Sequence, residues 1–249
     1  MRNKYTVLLI LVFAVVVAGY LATISEAGVT PRYSIYREEV AVTTYFPGFN
    51  QETATIKSWV KDEKMRSETA DGTDVTIVRS DLDVIYMINM KRLVYSETPL
   101  AVYHRAGRLS MAMLAADLAY QWTGRKKKIG AWMCREVILA EQTGQAGERM
   151  KTIWWVTKDT LLDVRLLRHF MSITFGSQSD ELSTRFYDKL ENIDGYPVQT
   201  ESEVTRGNQS MRKVQTLRKL ERREIPDSMF DLPSGLTRIT APLPPGLGG

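Results

Sequence analysis

Between residues 33 and 95, β-branched and aromatic residues alternate with polar ones, and turn chemistry interrupts the pattern at Pro47-Gly48 and Asp71-Gly72. A period of two sends successive side chains to opposite faces of an extended chain, so this stretch predicts an antiparallel meander of short strands. In residues 82–90, Leu82, Val84, Tyr86, Ile88 and Met90 fall on one apolar face, while Ile85 and Met87 make the other partly apolar. That strand is expected to be covered on both sides. Ile56, Ser58 and Val60 instead alternate with Lys57, Trp59 and Lys61. This predicts one packed face and one that meets water, with Trp59 shielding a rim.

The period changes over residues 107–122. Leu109, Met113, Ala116 and Tyr120 recur at helical spacing, Leu114, Leu118 and Trp122 widen the apolar arc, and Gly124 supplies a stop. So apolar a helix must pack on the sheet or plug its open side. The run Arg125, Lys126, Lys127 and Lys128 then reads as a solvated turn. Strands resume over 129–139 and 149–156, the second placing Trp154 and Trp155 on opposite faces. Residues 161–174 mix the two periods: Leu162, Val164 and Leu166 suit a strand, and Leu166, Phe170 and Ile173 a helix. Residues 179–190 read as a helix capped by Ser179. Two long strands close the pattern, 197–205 and 210–221, joined through Arg206-Gly207-Asn208. The fold class is therefore mainly β, an α+β layout with helices against a sheet.

Ahead of this pattern, Arg2 and Lys4 precede an apolar run over residues 5–24, followed by Ser25, Glu26 and Ala27. This is an export signal with small residues where signal peptidase reads them, and cleavage after Ala27 is favoured. A run of that length also spans about 30 Å of hydrocarbon, so retention as an N-terminal apolar helix anchored in the inner membrane is the alternative. Both readings export the body of the chain to the periplasm or envelope, because the positive charge precedes the apolar run. The division is then 1–27 signal or anchor, 28–239 domain and 240–249 a Pro- and Gly-rich tail.

Composition removes most chemistry. One cysteine, Cys134, excludes an intramolecular disulfide framework, and two histidines, His104 and His169, leave little for a zinc site or a His-based triad. Cys134 lies in a hydrophobic stretch and reads as a structural thiol. Asp81 and Asp83 read as strand-end solvation, and Asn208-Gln209-Ser210 matches a glycosylation sequon. The net charge of +4 falls to +3 once Arg2, Lys4 and Glu26 are removed, too little to indicate nucleic acid. No cofactor or metal is expected.

The order of elements ends on Asp194-Gly195-Tyr196-Pro197-Val198, two long strands, Ile225-Pro226-Asp227-Ser228-Met229-Phe230 and Leu232-Pro233-Ser234-Gly235. With Trp59 and Arg66 in a hairpin and Trp154 ahead of Lys158-Asp159, it resembles exported families of unknown function that look like LolA and LolB, the bacterial lipoprotein carrier and receptor. The resemblance implies a curved antiparallel half-barrel with helices covering its concave side, and a hollow that accepts acyl chains. Trp59, Tyr86, Met90, Leu114, Trp122, Trp132, Trp154 and Trp155 are the candidate lining. Ordinary core is the other reading of each, since burial of large apolar side chains is what folding requires.

Two functions fit. One is a non-enzymatic carrier or sorting factor of the envelope, with a lipid or lipoprotein as ligand, the helix over 107–122 as lid, and a monomeric state. The other is a structural or regulatory envelope protein whose hollow is filled by its own chain and which contacts a protein partner. Cleavage after Ala27 would leave Gly28 as the first residue of the exported chain, which intact-mass measurement reads directly; a mass retaining residues 1–27 would select the anchor.

Overall fold

The computed structural model describes residues 34–46, 50–104, 120–143, 149–158, 166, 169–170, 172–173 and 192–240. Among the described residues, twelve strands make one curved, open sheet. The first meander comprises β1 (Ser34–Phe46), β2 (Asn50–Lys61), β3 (Lys64–Thr69), β4 (Asp74–Arg79), β5 (Val84–Asn89) and β6 (Val94–Pro99). The second comprises β7 (Tyr120–Ile129), β8 (Trp132–Thr143), β9 (Arg149–Thr157), β10 (Tyr196–Arg206) and β11 (Gln209–Arg222). Each is antiparallel in chain order, and β1 pairs with β11 to fuse them. The short β12 (Thr237–Arg238) runs parallel to β6 at one edge. β7 forms the other edge, so the chain between β6 and β7 joins opposite sides of the sheet.

Tight turns set the registers. Lys61 pairs with Lys64 around Asp62 and Glu63, and Arg206 pairs with Gln209 around Gly207 and Asn208. Asp71 closes the β3–β4 turn by accepting hydrogen bonds from the Thr69 and Thr73 hydroxyls and the Thr73 N–H. Gly195 is required by close approach: a Cβ there would lie 2.5 Å from Val156 Cγ1 and 2.6 Å from the Thr157 carbonyl oxygen. The Asp-Gly-Tyr-Pro-Val stretch thus marks the place where the chain crosses over the end of β9 to enter β10.

The sheet buries apolar side chains on both faces. The first face carries Ile35, Val60, Met65, Val78 and Ile85, continuing across the second meander through Leu217, Val198, Trp154 and Val137. Leu166, Phe170 and Ile173, in helical backbone, pack into this cluster, as does Leu100 at the head of the helical residues 100–104. The second face carries Tyr36, Trp59, Val75, Ile77 and Ile88, covered by Ile225 and Phe230 of the C-terminal segment.

That segment explains the Ile-Pro-Asp-Ser-Met-Phe motif. Asp227–Phe230 form one 3-10 turn, Lys61 and Lys64 grip Asp227 at 3.2 and 2.9 Å, and Arg79 donates to the Phe230 carbonyl at 3.4 Å. Thr237 N–H then donates to the Leu93 carbonyl, bringing β12 onto the β6 edge.

Several expectations are corrected. Trp59 does not shield a wet rim, because the C-terminal segment buries it with Tyr36, their ring centroids 5.4 Å apart. Leu82 belongs to the 3-10 turn Ser80–Leu82, is 56% exposed and is no part of the β5 core. Tyr120 and Trp122 end no helix; they begin β7, where strand pairing with Leu139 and Val137 prevails over their helical spacing. Arg125 to Lys128 are strand as well, and the turn falls at Gly130 and Ala131. Gly124, with φ +78°, occupies a bulge between Trp122 and Lys126.

The rest of the expected helix over 107–122, that over 179–190, and residues 1–27 lie outside the described residues. So do most of 161–174, whose described members are helical. No helix among the described residues is long and apolar enough to cross a membrane.

Phe230 is wholly buried under strands contributed by the first meander. Phe230→Ala is expected to cost about 3–5 kcal/mol, read as a lower urea midpoint at unchanged slope.

Candidate functional site

Register across the second meander aligns side chains from separate strands into rows on the first face. One row runs Trp122, Val137, Trp154, Thr200, Gln215 and Ala41, from β7 to β1. The next runs Tyr120, Leu139, Thr152, Ser202, Lys213 and Thr43. Both change character along their length: aromatic and aliphatic over β7, β8 and part of β9, then polar over β10 and β11. Trp122 and Tyr120 are half-buried against the main core, and Arg135 stacks on the Trp122 ring at 4.5 Å. Strands about 4.8 Å apart make such a row a continuous strip.

Beside this strip lies a buried polar group. Arg37 pairs with Glu39 at 3.1 Å, donates to the Tyr196 hydroxyl at 3.5 Å and stacks on Phe170 at 4.5 Å. Gln215 Nε2 donates to the same Glu39 oxygen at 3.0 Å. Burial opposes the Arg37 charge, but Glu39 and Tyr196 outweigh it and its pKa rises. Burial pushes the Tyr196 phenol up, against Arg37. Arg37 and Glu39 lie beside the bulge at Glu38 and Glu39, where β1 and β11 lose step and Glu39 comes opposite Leu217.

The second face of the same strands holds a different network. Glu136, 1% exposed, accepts from Thr123 and from Arg125, whose side chain is largely solvent-exposed. Lys127 sits over the Trp155 ring at 3.8 Å and donates to Gln199 and Glu201, and Trp155 Nε1–H donates to Glu201 at 2.9 Å. The expected solvated lysine run is therefore divided by alternation: Lys127 holds Trp155, while Lys126 and Lys128 face solvent. A cleft of about 470 Å³ opens on this face beside Phe46, Ile153, Lys151 and Glu203. Cys134 is buried with its thiol pushed up to about 11, foremost by desolvation, which suits a structural thiol.

The structure divides the eight expected lining residues. Trp122 and Trp154 share the first face. Trp132 and Trp155 fall on the second by alternation, yet both belong with the main core, Trp155 as a buried member and Trp132 packed against it. Trp59, Tyr86 and Met90 belong to the separate cluster under the C-terminal segment, and Leu114 lies outside the described residues. The described members therefore fall in two clusters, Trp122, Trp132, Trp154 and Trp155 in the main core and Trp59, Tyr86 and Met90 under the C-terminal segment.

Sequence reading missed Arg37, Glu39, Thr152, Ser202, Lys213 and Gln215. Each looks like an ordinary polar strand residue, and only pairing across four strands brings them together. Of the other polar candidates, Asp81 pairs with Arg79 at 2.7 Å, Asp83 ends the 3-10 turn, and His104 meets the Ile173 carbonyl at 3.3 Å. Asn208 is exposed in its hairpin turn. Among the described residues no group of three or more His, Cys, Asp or Glu could hold a metal ion.

Fold and site together define an open-sheet β protein with an apolar face that grades into a buried polar patch. The chain belongs to the DUF4412 family, a domain of unknown function whose model matches residues 40–236. This bears out the expected membership of a domain family of unknown function. A search of the curated proteins returns no match.

Solved structures with a similar layout include an uncharacterized conserved protein from Thermus thermophilus, at 7% identity and TM-score 0.42, covering 95% of this chain and 99% of that one. A DUF1329 family protein from Desulfovibrio piger has 10% identity and TM-score 0.35, covering 92% and 98%. A LolA superfamily protein from Nitrosomonas europaea has 12% identity and TM-score 0.33, covering 82% and 92%.

His169 offers a check on the helical cover. Burial depresses its pKa to about 4, against a hydrogen bond to the Asp62 backbone that raises it. The unfolded chain takes up the proton near pH 6.5 and the folded chain only near 4, so this residue makes stability fall as pH drops through that interval. His169→Gln should flatten that part of the stability–pH profile measured by urea denaturation.

Proposed function

We propose that this protein is a non-enzymatic binding protein of the cell envelope that holds a hydrophobic or acylated ligand against the first face of its sheet. The observation carrying this reading is the aromatic and aliphatic strip Trp122, Val137, Trp154, Tyr120 and Leu139, which ends on half-buried aromatics at an open sheet edge. Val137, Leu139 and Trp154 are already buried, so a ligand chain gains by removing its own methylenes from water, at about 0.8 kcal/mol each, against the half-buried Tyr120 and Trp122. One acyl chain is enough for useful affinity. Export follows from residues 1–27 and fits a lipid or lipoprotein ligand met in the periplasm.

The second reading, a scaffold filled by its own chain, is favoured by the second face, where Ile225 and Phe230 already occupy the apolar surface. Native mass spectrometry of the exported chain, purified without detergent, separates the two. The binding reading expects a co-purifying lipid mass, or one acquired when lipid is added. A clean protein mass after lipid addition selects the scaffold. In a folded Trp122→Glu variant the bound-lipid fraction is expected to fall at least about tenfold, since a carboxylate in an apolar contact must be desolvated.

A further inference from the structure

Three buried side chains at the polar end of the strip carry atoms with no hydrogen-bond partner among the described residues: Thr152 Oγ1, Ser202 Oγ and Gln215 Oε1. Their residues are 4%, 2% and 5% exposed. Thr152 lies directly opposite Ser202, and Ser202 directly opposite Lys213, so three donor groups from β9, β10 and β11 share one row. Buried hydroxyls are normally satisfied, because an orphaned donor forfeits its hydration for nothing. Two in register beside a lysine form a built site.

We propose that this row binds the anionic head of a single-chain amphiphile, with Lys213 pairing its charge, Thr152 and Ser202 donating to its oxygens, and its chain running toward the half-buried Tyr120 and Trp122 at the β7 edge. The proposal rests on the hydrophobic-ligand reading above and names the ligand class for that same face. Charge supports it. Arg37 is taken by Glu39, and Glu39 also accepts from Gln215, whereas among the described residues no hydrogen bond or ion pair engages the Lys213 ammonium. The group of Arg37, Glu39 and Lys213 thus carries one positive charge in excess, which a monoanion neutralises.

Burial lowers the Lys213 pKa, and Glu39 offsets this, so an anion at this place restores what desolvation takes from the ammonium. The register supplies the amphiphile's geometry: the polar groups of the row over β11, β10 and β9 give way to Leu139 on β8 and Tyr120 on β7. Gln215 Oε1, an acceptor, suits a hydroxyl or water beside the head.

The test titrates the full exported chain with palmitate and with methyl palmitate, which has the same chain and no charge, following tryptophan fluorescence. Palmitate is expected to bind about tenfold more tightly, the scale of a charge-assisted hydrogen bond. Lys213→Met should abolish that preference. Ser202→Ala should reduce the preference several-fold, and near-UV circular dichroism identifies folded variants. Acetate should not displace palmitate.

Equal affinity for the two ligands in the unaltered protein, or a preference that survives in Lys213→Met, overturns the head-group site while the hydrophobic-ligand reading stands. Displacement by acetate overturns the amphiphile in favour of a simple anion site. Binding of neither ligand removes both readings.

Discussion

The pairing of β1 with β11 is the constraint on which the rest of the structure depends. Without it there are two separate meanders, each with an apolar face and an unpaired edge; with it there is one sheet across which the main core runs without interruption. The partners lie nearly the whole domain apart, Ile35 opposite Arg222 and Phe46 opposite Ser210. Closing a loop of that size costs chain entropy before any contact offsets it, so the pairing must be secured by burial along its length. The alternation of Ile35, Arg37, Glu39 and Ala41 delivers that burial on one side, and Tyr36 on the other.

The same junction brings charge into the core. A bulge at Glu38 and Glu39 shifts the register, and Arg37 and Glu39 are buried as a pair rather than exposed as neighbours. Removing one member of such a pair strands the other, so the group specifies how β1, β11 and the Phe170 helix meet more than it adds net stability. From this group the polar character continues along β11 and β10 to Lys213 and Ser202, giving an otherwise apolar face a polar end.

The second face solves the opposite problem. The first meander would expose Trp59, Ile77 and Ile88 there, and the C-terminal segment covers them before β12 docks on the β6 edge. Lys61, Lys64 and Arg79 reach over from β2, β3 and β4 to hold the segment by Asp227 and by backbone carbonyls. Capping one edge with a short parallel strand leaves β7 as the other edge, and its Lys126 and Lys128 are charges of the kind that discourage edge-to-edge pairing.

Much of the strand layout was legible, because period-two patterning is local. The final hairpin, the Asp71-Gly72 turn and the two-sided burial of β5 follow from residues within a strand length of one another. Tyr120 and Trp122 mislead because their spacing suits a helix equally well, and only Leu139 and Val137, brought alongside by the Gly130 turn, decide the matter. The candidate site was the least legible, since Thr152, Ser202 and Lys213 come from three strands and carry no pattern of their own.

The sequence by itself determined a mainly β chain with too few thiols and imidazoles for common metal or triad chemistry. The tertiary structure decided which apolar side chains share a face, that Trp59 and Trp154 stand on opposite sides, and that a lysine and two hydroxyls share one cross-strand row at the polar end of a face. The physical reason is that alternation fixes a side chain's face only relative to its own strand, whereas register across strands fixes what that face looks toward.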